Sequence, residues 1–398
     1  MNPTIEAGPV AEALDAVAAP YRKALRAVTG PVELFDAHTH IGRNDPDGHR
    51  QSAAELLAAL ERAEARAVVF PMHEPDGYPP ANDEVLAAAA DSGGRLVPFC
   101  RVNPYLDAVA EARRCLEAGA RGIKLHPRAD GFTLAEPAVR DLIALAHERR
   151  TPVLIHAGRG IPALGRDAVG LAGEFPEAPL ILAHAAVSDL AWIWREMPAH
   201  PNLFIDTAWW TPGDMIALFS LVPGGQILWA SDSPYSPPLA AAAQHLRYAL
   251  QAGVGSETLK LIAGEQLRRL LDGERPLPAP PPAGEAKQLD PQLERIVDHL
   301  LTAVGRCTGL AGAEESLALA RLACAVEEGP HAATCSAVLE LLDQAEQHLP
   351  PPEGVMWSIG AQIIVFAISI ARTPEVPLPE LPEAPAATQE EAEARTVD

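Results

Sequence analysis

Cysteine is scarce in this sequence and poorly placed for covalent or metal work. The five present, Cys100, Cys115, Cys307, Cys324 and Cys335, are odd in number, widely spaced and never arranged as CxxC. That pattern excludes a disulfide framework and a cysteine zinc site, and the residues read as buried thiols of a reducing cytoplasm. Positive charge is short too: 31 Lys and Arg face 53 Asp and Glu, for a formal net charge of -22, and no basic patch breaks the excess. Such a chain repels phosphate backbones and anionic lipid, so neither nucleic acid nor a membrane surface is an expected partner. The N-terminus lacks a basic segment followed by an apolar core, so no secretory signal is expected and the reading is cytoplasmic. Long apolar runs are missing as well. Val355–Ala371 comes nearest, but it is short for a membrane span and carries Gln362 near its middle, so it reads as a buried bundle helix.

What is there is enough for a full-sized core. With 398 residues, 48% apolar and 21% charged, the chain can pack an interior, and its length fits two or three domains unless one is a barrel. Residues 1–29 read as a helical lead-in, with Val10, Leu14, Val17 and Leu25 among alanines. From Pro31 onward, short β-type runs alternate with longer Ala- and Leu-rich helical stretches. The runs are Val32–Phe35, Ala67–Phe70, Leu96–Cys100, Gly122–Leu125, Val153–Ile155, Leu180–Ala183, Leu203–Ile205 and Ile227–Ala230. Helical stretches follow them from Ala53–Ala65 to Leu239–Gln251, and Glu257–Leu271 closes the series. Eight alternations over residues 30–273 predict an α/β fold of the TIM (β/α)₈ barrel type, with a doubly wound open sheet as the competing arrangement. Residues 274–288, including RPLPAPPPAG, predict a proline-rich linker. Helical segments at Gln292–Val304, Glu314–Glu327, Ala332–His348 and Gly354–Ala371 then predict an all-α bundle extension over 289–372. The remainder, 373–398, is rich in Pro, Glu and Ala and predicts a disordered acidic tail.

Chemistry-bearing side chains collect at the C-terminal ends of the β runs. FDAHTH ends strand one and puts His38 and His40 two residues apart, on one side of a strand. PVLIHAG ends strand five in His156, LILAHAA ends strand six in His184, and ILWASD ends strand eight in Asp232. In a closed barrel these ends surround a single mouth, where such enzymes place their chemistry. Neutral imidazoles with a carboxylate suit zinc or a similar divalent ion and leave a position for water, whose pKa the ion lowers toward ~7. Asp232 and His184 are the candidates to move protons there.

The set FDAHTHIG, GIKLHP, VLIHAG, LILAHA and WASDSPY resembles the amidohydrolase superfamily, in particular its amidohydrolase-related branch of barrel metal hydrolases and non-oxidative decarboxylases. The resemblance covers about residues 33–272, including IAGEQLRRLL, which is similar to the family's closing helix. It implies that His38, His40, His156 and Asp232 bind metal, and that His184 binds a second ion or acts as an acid/base and carbonyl-polarising group. It leaves Lys124 with two roles: carboxylated, it would bridge two ions, and unmodified, it would face a substrate carboxylate. One ion, zinc first, is the expectation, because an unmodified lysine repels a second.

Weaker signals come from other mouth positions. Arg101, ending strand three in FCRVNP, can clamp a substrate carboxylate or form a salt bridge. Trp209 and Trp210 can wall an apolar pocket or pack against the helical region. Arg43, His73, His126 and Tyr235 also fall near the mouth. The expected function is a metal-dependent hydrolase of a small organic substrate that can bear a carboxylate. A non-oxidative decarboxylase of a small or aromatic acid is the alternative, and a silent barrel scaffold, with the bundle as its interaction module, is the second. The bundle is expected to dimerise the protein or cover the mouth.

Overall fold

The computed structural model describes residues 5–278, 280–284, 287–307, 313–326, 328–348 and 358–380. Eight parallel strands form one sheet: β1 (Leu34–Ile41), β2 (Ala65–Pro71), β3 (Leu96–Arg101), β4 (Gly122–Leu125), β5 (Val153–Ile155), β6 (Leu180–Leu182), β7 (Leu203–Asp206) and β8 (Ile227–Leu228). Each pairs with the next in chain order, and the two ends of the sheet meet. Ala37 N–H donates to Trp229 O at 3.0 Å, Asp232 N–H to His38 O at 2.9 Å, and His40 N–H to Ser233 O at 2.8 Å, so β1 is stitched to the chain beyond β8. Closure removes the sheet edges and decides for the TIM barrel against the open sheet.

The barrel is filled, not hollow. Phe35, Val68, Phe70, Phe99, Leu154, Ile181, Phe204 and Leu228 form an interior cluster, while a separate and larger cluster fills the layer between strands and outer helices. This two-sided burial explains why the strands read as continuous apolar runs. β1 departs from its predicted extent: it continues through Ile41 and carries both histidines inside the strand. Its polar run, Asp36 to His40, hid that continuation, and a register shift between Asp36 and Thr39 marks a bulge at His38, with His40 back in register opposite Phe70.

The predicted closing helix is broken. Ser256–Lys260 and Gln266–Leu271 flank a wide turn at Leu261–Glu265, which leaves Ile262 O free to accept Trp229 N–H at 2.8 Å. Gly264 permits it, since a Cβ there would lie 2.9 Å from Phe35 Cβ. The helix Gln266–Leu271 then plugs the base of the barrel with Leu267, Leu270 and Leu271, which join the interior cluster.

Helices Pro291–Cys307, Glu314–Cys324, Ala332–Glu346 and Ile359–Arg372 form the C-terminal all-α extension. Their core also takes Leu14, Ala18 and Tyr21 from the lead-in helix Ala7–Thr29 and Ala240 and Ala243 from the barrel helix Pro238–Gln251. The lead-in is therefore a bridge between the two cores, and Tyr21 meets Phe366 edge to face at 5.1 Å. Among the described residues no helix is long and apolar enough to cross a membrane. The acidic tail from residue 381 lies outside the described residues, as do residues 354–357 of the predicted last helix. Thr373–Pro377, predicted as the start of the tail, is docked: the buried Arg247 guanidinium donates to Thr373 Oγ1 and O, Val376 O and Pro377 O.

Candidate metal centre

Three of the expected ligands converge at the mouth. His38 Nε2 and His40 Nε2 each lie 3.1 Å from Asp232 Oδ1, and the ligand atoms of the three residues all fall within 4.8 Å of one another. Both imidazoles, two residues apart on β1, reach Asp232 Oδ1, which the β1–β8 stitch brings over them. His38 is 1% exposed and His40 6%, and 18% of the Asp232 side chain is exposed.

The tautomer of His38 follows from a residue that sequence reasoning did not select. Asp206, the last residue of β7, takes the His38 Nδ1–H on Oδ2 at 2.9 Å. Its Oδ1 accepts the backbone N–H of His184 at 2.8 Å and of Ala208 at 3.0 Å. With its proton committed to Asp206, His38 keeps an unprotonated Nε2, which faces Asp232 Oδ1 at 3.1 Å and is also approached by Lys124 Nζ at 3.4 Å. Burial, then Lys124, pushes the His38 pKa well below the usual histidine range, so no second proton fills the gap. Two acceptors 3.1 Å apart are an arrangement that a cation resolves, and the carboxylate behind the histidine is what a metal-ligating imidazole requires. Asp206 had a signal, since LFID ends β7 in a carboxylate just as ILWASD ends its run in Asp232.

His156 stands apart from this trio. Its Nδ1–H donates to His184 Nε2 at 2.8 Å, while its Nε2 has no partner among the described residues and faces Gly158. His184 Nδ1–H donates in turn to Ala208 O at 2.9 Å and lies 3.8 Å from Asp232 Oδ2. His126 stacks on His156 at 3.9 Å, and its Nδ1 accepts Ala129 N–H, capping the short helix Pro127–Asp130. Backbone strain collects at this end: His184, Ala185, Ala186 and Asp232 have φ of 59°, 54°, 46° and 66°, in the left-handed region.

Lys124 is fully buried below the trio. Its Nζ is 3.4 Å from His38 Nε2 and 4.8 Å from the centre of the Phe70 ring. Burial draws its pKa down to about 7, and burial likewise pushes Asp232 up to about 6. Arg101 is 2% exposed, lies over the Tyr78 ring at 4.7 Å and pairs with Asp130 at 3.4 Å, so the salt bridge holds it in this structure. His73 Nδ1 lies 3.8 Å from the same Asp130. Trp209 and Trp210 face different surroundings. Trp209 stands 6.4 Å from the His184 ring with the Arg159 guanidinium above it at 5.0 Å, whereas Trp210 packs against the helical cluster. Tyr235 sets its ring edge to His40 at 5.8 Å and donates to Asp45 Oδ1 at 2.5 Å.

The amidohydrolase family profile matches residues 35–271, which contain every residue of this site. Among solved structures, an uncharacterized TIM-barrel protein from Bordetella bronchiseptica is similar at a TM-score of 0.50 and 16% identity, over 61% of this chain and 99% of that one. A 5-carboxyvanillate decarboxylase from Sphingomonas paucimobilis aligns at 0.49 and 15% identity, again over 61% and 99%. A probable 2-pyrone-4,6-dicarboxylic acid hydrolase from Acinetobacter baumannii aligns at 0.45 and 15%, over 60% and 99%. At such identities the first likeness shows the barrel fold and nothing of the reaction. Among curated proteins the chain has no match.

Proposed function

The chain belongs to the amidohydrolase family, and from that premise we propose a metal-dependent enzyme of hydrolase or lyase type that acts on a small, carboxylate-bearing organic molecule, hydrolysis being the leading reaction. The observation that carries the proposal is the convergence of His38 Nε2 and His40 Nε2 on Asp232 Oδ1, each at 3.1 Å. These three residues would hold one divalent ion, and His156 would join them by turning its ring away from His184. Neutral imidazoles with a carboxylate favour zinc. When bound, such an ion supplies Lewis acidity, acidifying water and polarising a carbonyl.

The chain's own groups divide the remaining work. Asp232 Oδ1 faces the histidine pair, while Oδ2 is turned toward His184, so one carboxylate can serve the ion and still receive a proton. His184, fixed by Ala208 O, is the group to polarise a substrate oxygen or return that proton. Lys124 offers a buried positive charge to a substrate carboxylate, and Trp209 offers a flat apolar wall. Non-oxidative decarboxylation is the second reading, and the buried Lys124 favours it, because a carboxylate held beside that cation sits within reach of the same acid/base pair.

Elemental analysis should find one ion per chain. A screen of esters, lactones, amides and aromatic acids in ¹⁸O-labelled heavy water then separates the readings. Hydrolysis places solvent oxygen in the product, and decarboxylation releases carbon dioxide and leaves solvent deuterium on carbon. Protein without stoichiometric metal, or turnover that survives complete chelation, would refute the proposal.

A further inference from the structure

At the base of the barrel, opposite the metal centre, three arginines, Arg66, Arg121 and Arg268, help to line a half-open cavity of about 190 Å³, together with Phe35, Val97, Leu271 and Asp272. A water needs only roughly 10–15 Å³ of such space, so the cavity admits a partly hydrated ion. We infer that it is a binding site for a small phosphate-type oxyanion, either the free ion or the phosphoryl group of a monoester. The charge balance carries the inference. The lining holds three arginines and a single carboxylate, Asp272, in a chain whose formal net charge is -22. That carboxylate is held loosely, at 3.8 Å from Arg121 and 3.5 Å from Arg268, with 49% of its side chain exposed. Exposed pairs of this kind contribute little, so an entering oxyanion displaces them at small cost.

Two of the three guanidiniums are also held in place beforehand. Arg66 lies over the Phe35 ring at 4.5 Å and donates Nε–H to Gly94 O at 3.2 Å, leaving its terminal nitrogens without a partner among the described residues. Arg121 is fixed by donating to Leu271 O at the end of the helix that plugs the barrel. A planar fork already oriented loses little freedom on binding an oxyanion bidentately, which is how arginine recognises phosphate. The neighbouring groove on the far side of Arg66 is lined by Glu33, Glu61 and Glu64, which steers an anion toward Arg121 and Arg268.

Titration calorimetry of the metal-loaded full chain with inorganic phosphate, at ionic strength matched with chloride, tests the inference. Saturable binding is expected, weakened at least ~10-fold by the Arg66→Met, Arg268→Gln pair, which leaves the metal centre untouched. Asp272→Asn, which removes the competing carboxylate, should tighten binding ~3-fold and serves as the test if the double variant fails to fold. Methyl phosphate bound as tightly as phosphate identifies a monoester as the ligand, and its exclusion identifies the free ion. Binding that survives the arginine substitutions, an Asp272→Asn protein that binds no better than the parent, or a parent that binds neither compound overturns the inference.

Discussion

Replacing Asp206 by Asn should weaken metal binding by about 10–100-fold while leaving the barrel folded. The two carboxylate oxygens have separate duties, and that separation sets the prediction. Oδ1 accepts the backbone N–H groups of His184 and Ala208, and the amide oxygen of Asn can keep both bonds. Oδ2 accepts the His38 Nδ1–H, and there Asn presents an NH₂ donor to a donor. His38 escapes the conflict by moving its proton to Nε2, which abolishes the lone pair aimed toward Asp232. The expected loss corresponds to about 1.4–2.7 kcal/mol of binding free energy, at ~1.4 kcal/mol per factor of ten. Competition with a chromophoric chelator measures the affinity, and circular dichroism with a thermal melt checks the fold. An Asp206→Asn protein that is folded and binds metal within twofold of the parent would refute both the tautomer argument and the placement of the ion.

Lys124→Ala should leave one metal per chain by elemental analysis, whereas a fall from two ions to one or none would establish a carboxylated-lysine bridge instead. Gly122→Ala should lower the melting temperature by several degrees, roughly 1–3 kcal/mol, because the new methyl would lie 2.3 Å from the Phe99 ring inside the barrel; an unchanged melt would show that Phe99 can move aside. His245 is buried, bonded to Thr207 Oγ1 and Trp209 O, and burial draws its pKa down to about 4. The unfolded chain therefore takes up a proton below pH ~6.5 that the folded chain refuses until about pH 4, so stability falls over that window as pH drops, by about 3 kcal/mol. Denaturant titrations of the parent and His245→Gln across that range should differ in slope, and parallel curves would disprove the assignment. Arg247→Ala should cost roughly 2–4 kcal/mol and expose Thr373–Pro377 to limited proteolysis, since four bonds to that segment are lost; an unaltered cleavage pattern would show that the segment is held by other contacts.

The sequence by itself determined the barrel and four strand-end histidines with one aspartate around its mouth. Both follow from local pattern: eight apolar runs report burial on two faces, and a polar residue ending such a run falls at the rim whatever the rest of the chain does. Periodicity also found the C-terminal helices, because an amphipathic stripe is a property of consecutive residues. Tertiary structure alone decided which of the candidates meet. His156 has the same signal as His38 and His40, yet its ring is engaged by His184, since the side-chain torsion that aims it depends on a neighbour 28 residues away. Asp206 carries a visible motif but acquires its role only when barrel closure brings the end of β7 within reach of β1 across β8, 168 residues distant along the chain. Arg101, open to two readings in sequence, is held by Asp130 from the short helix after β4. The three arginines at the base come from the start of β2, the turn before β4 and the closing helix, and no window of sequence contains them together. Pairings between distant segments depend on strand register and loop geometry, which local propensity does not encode.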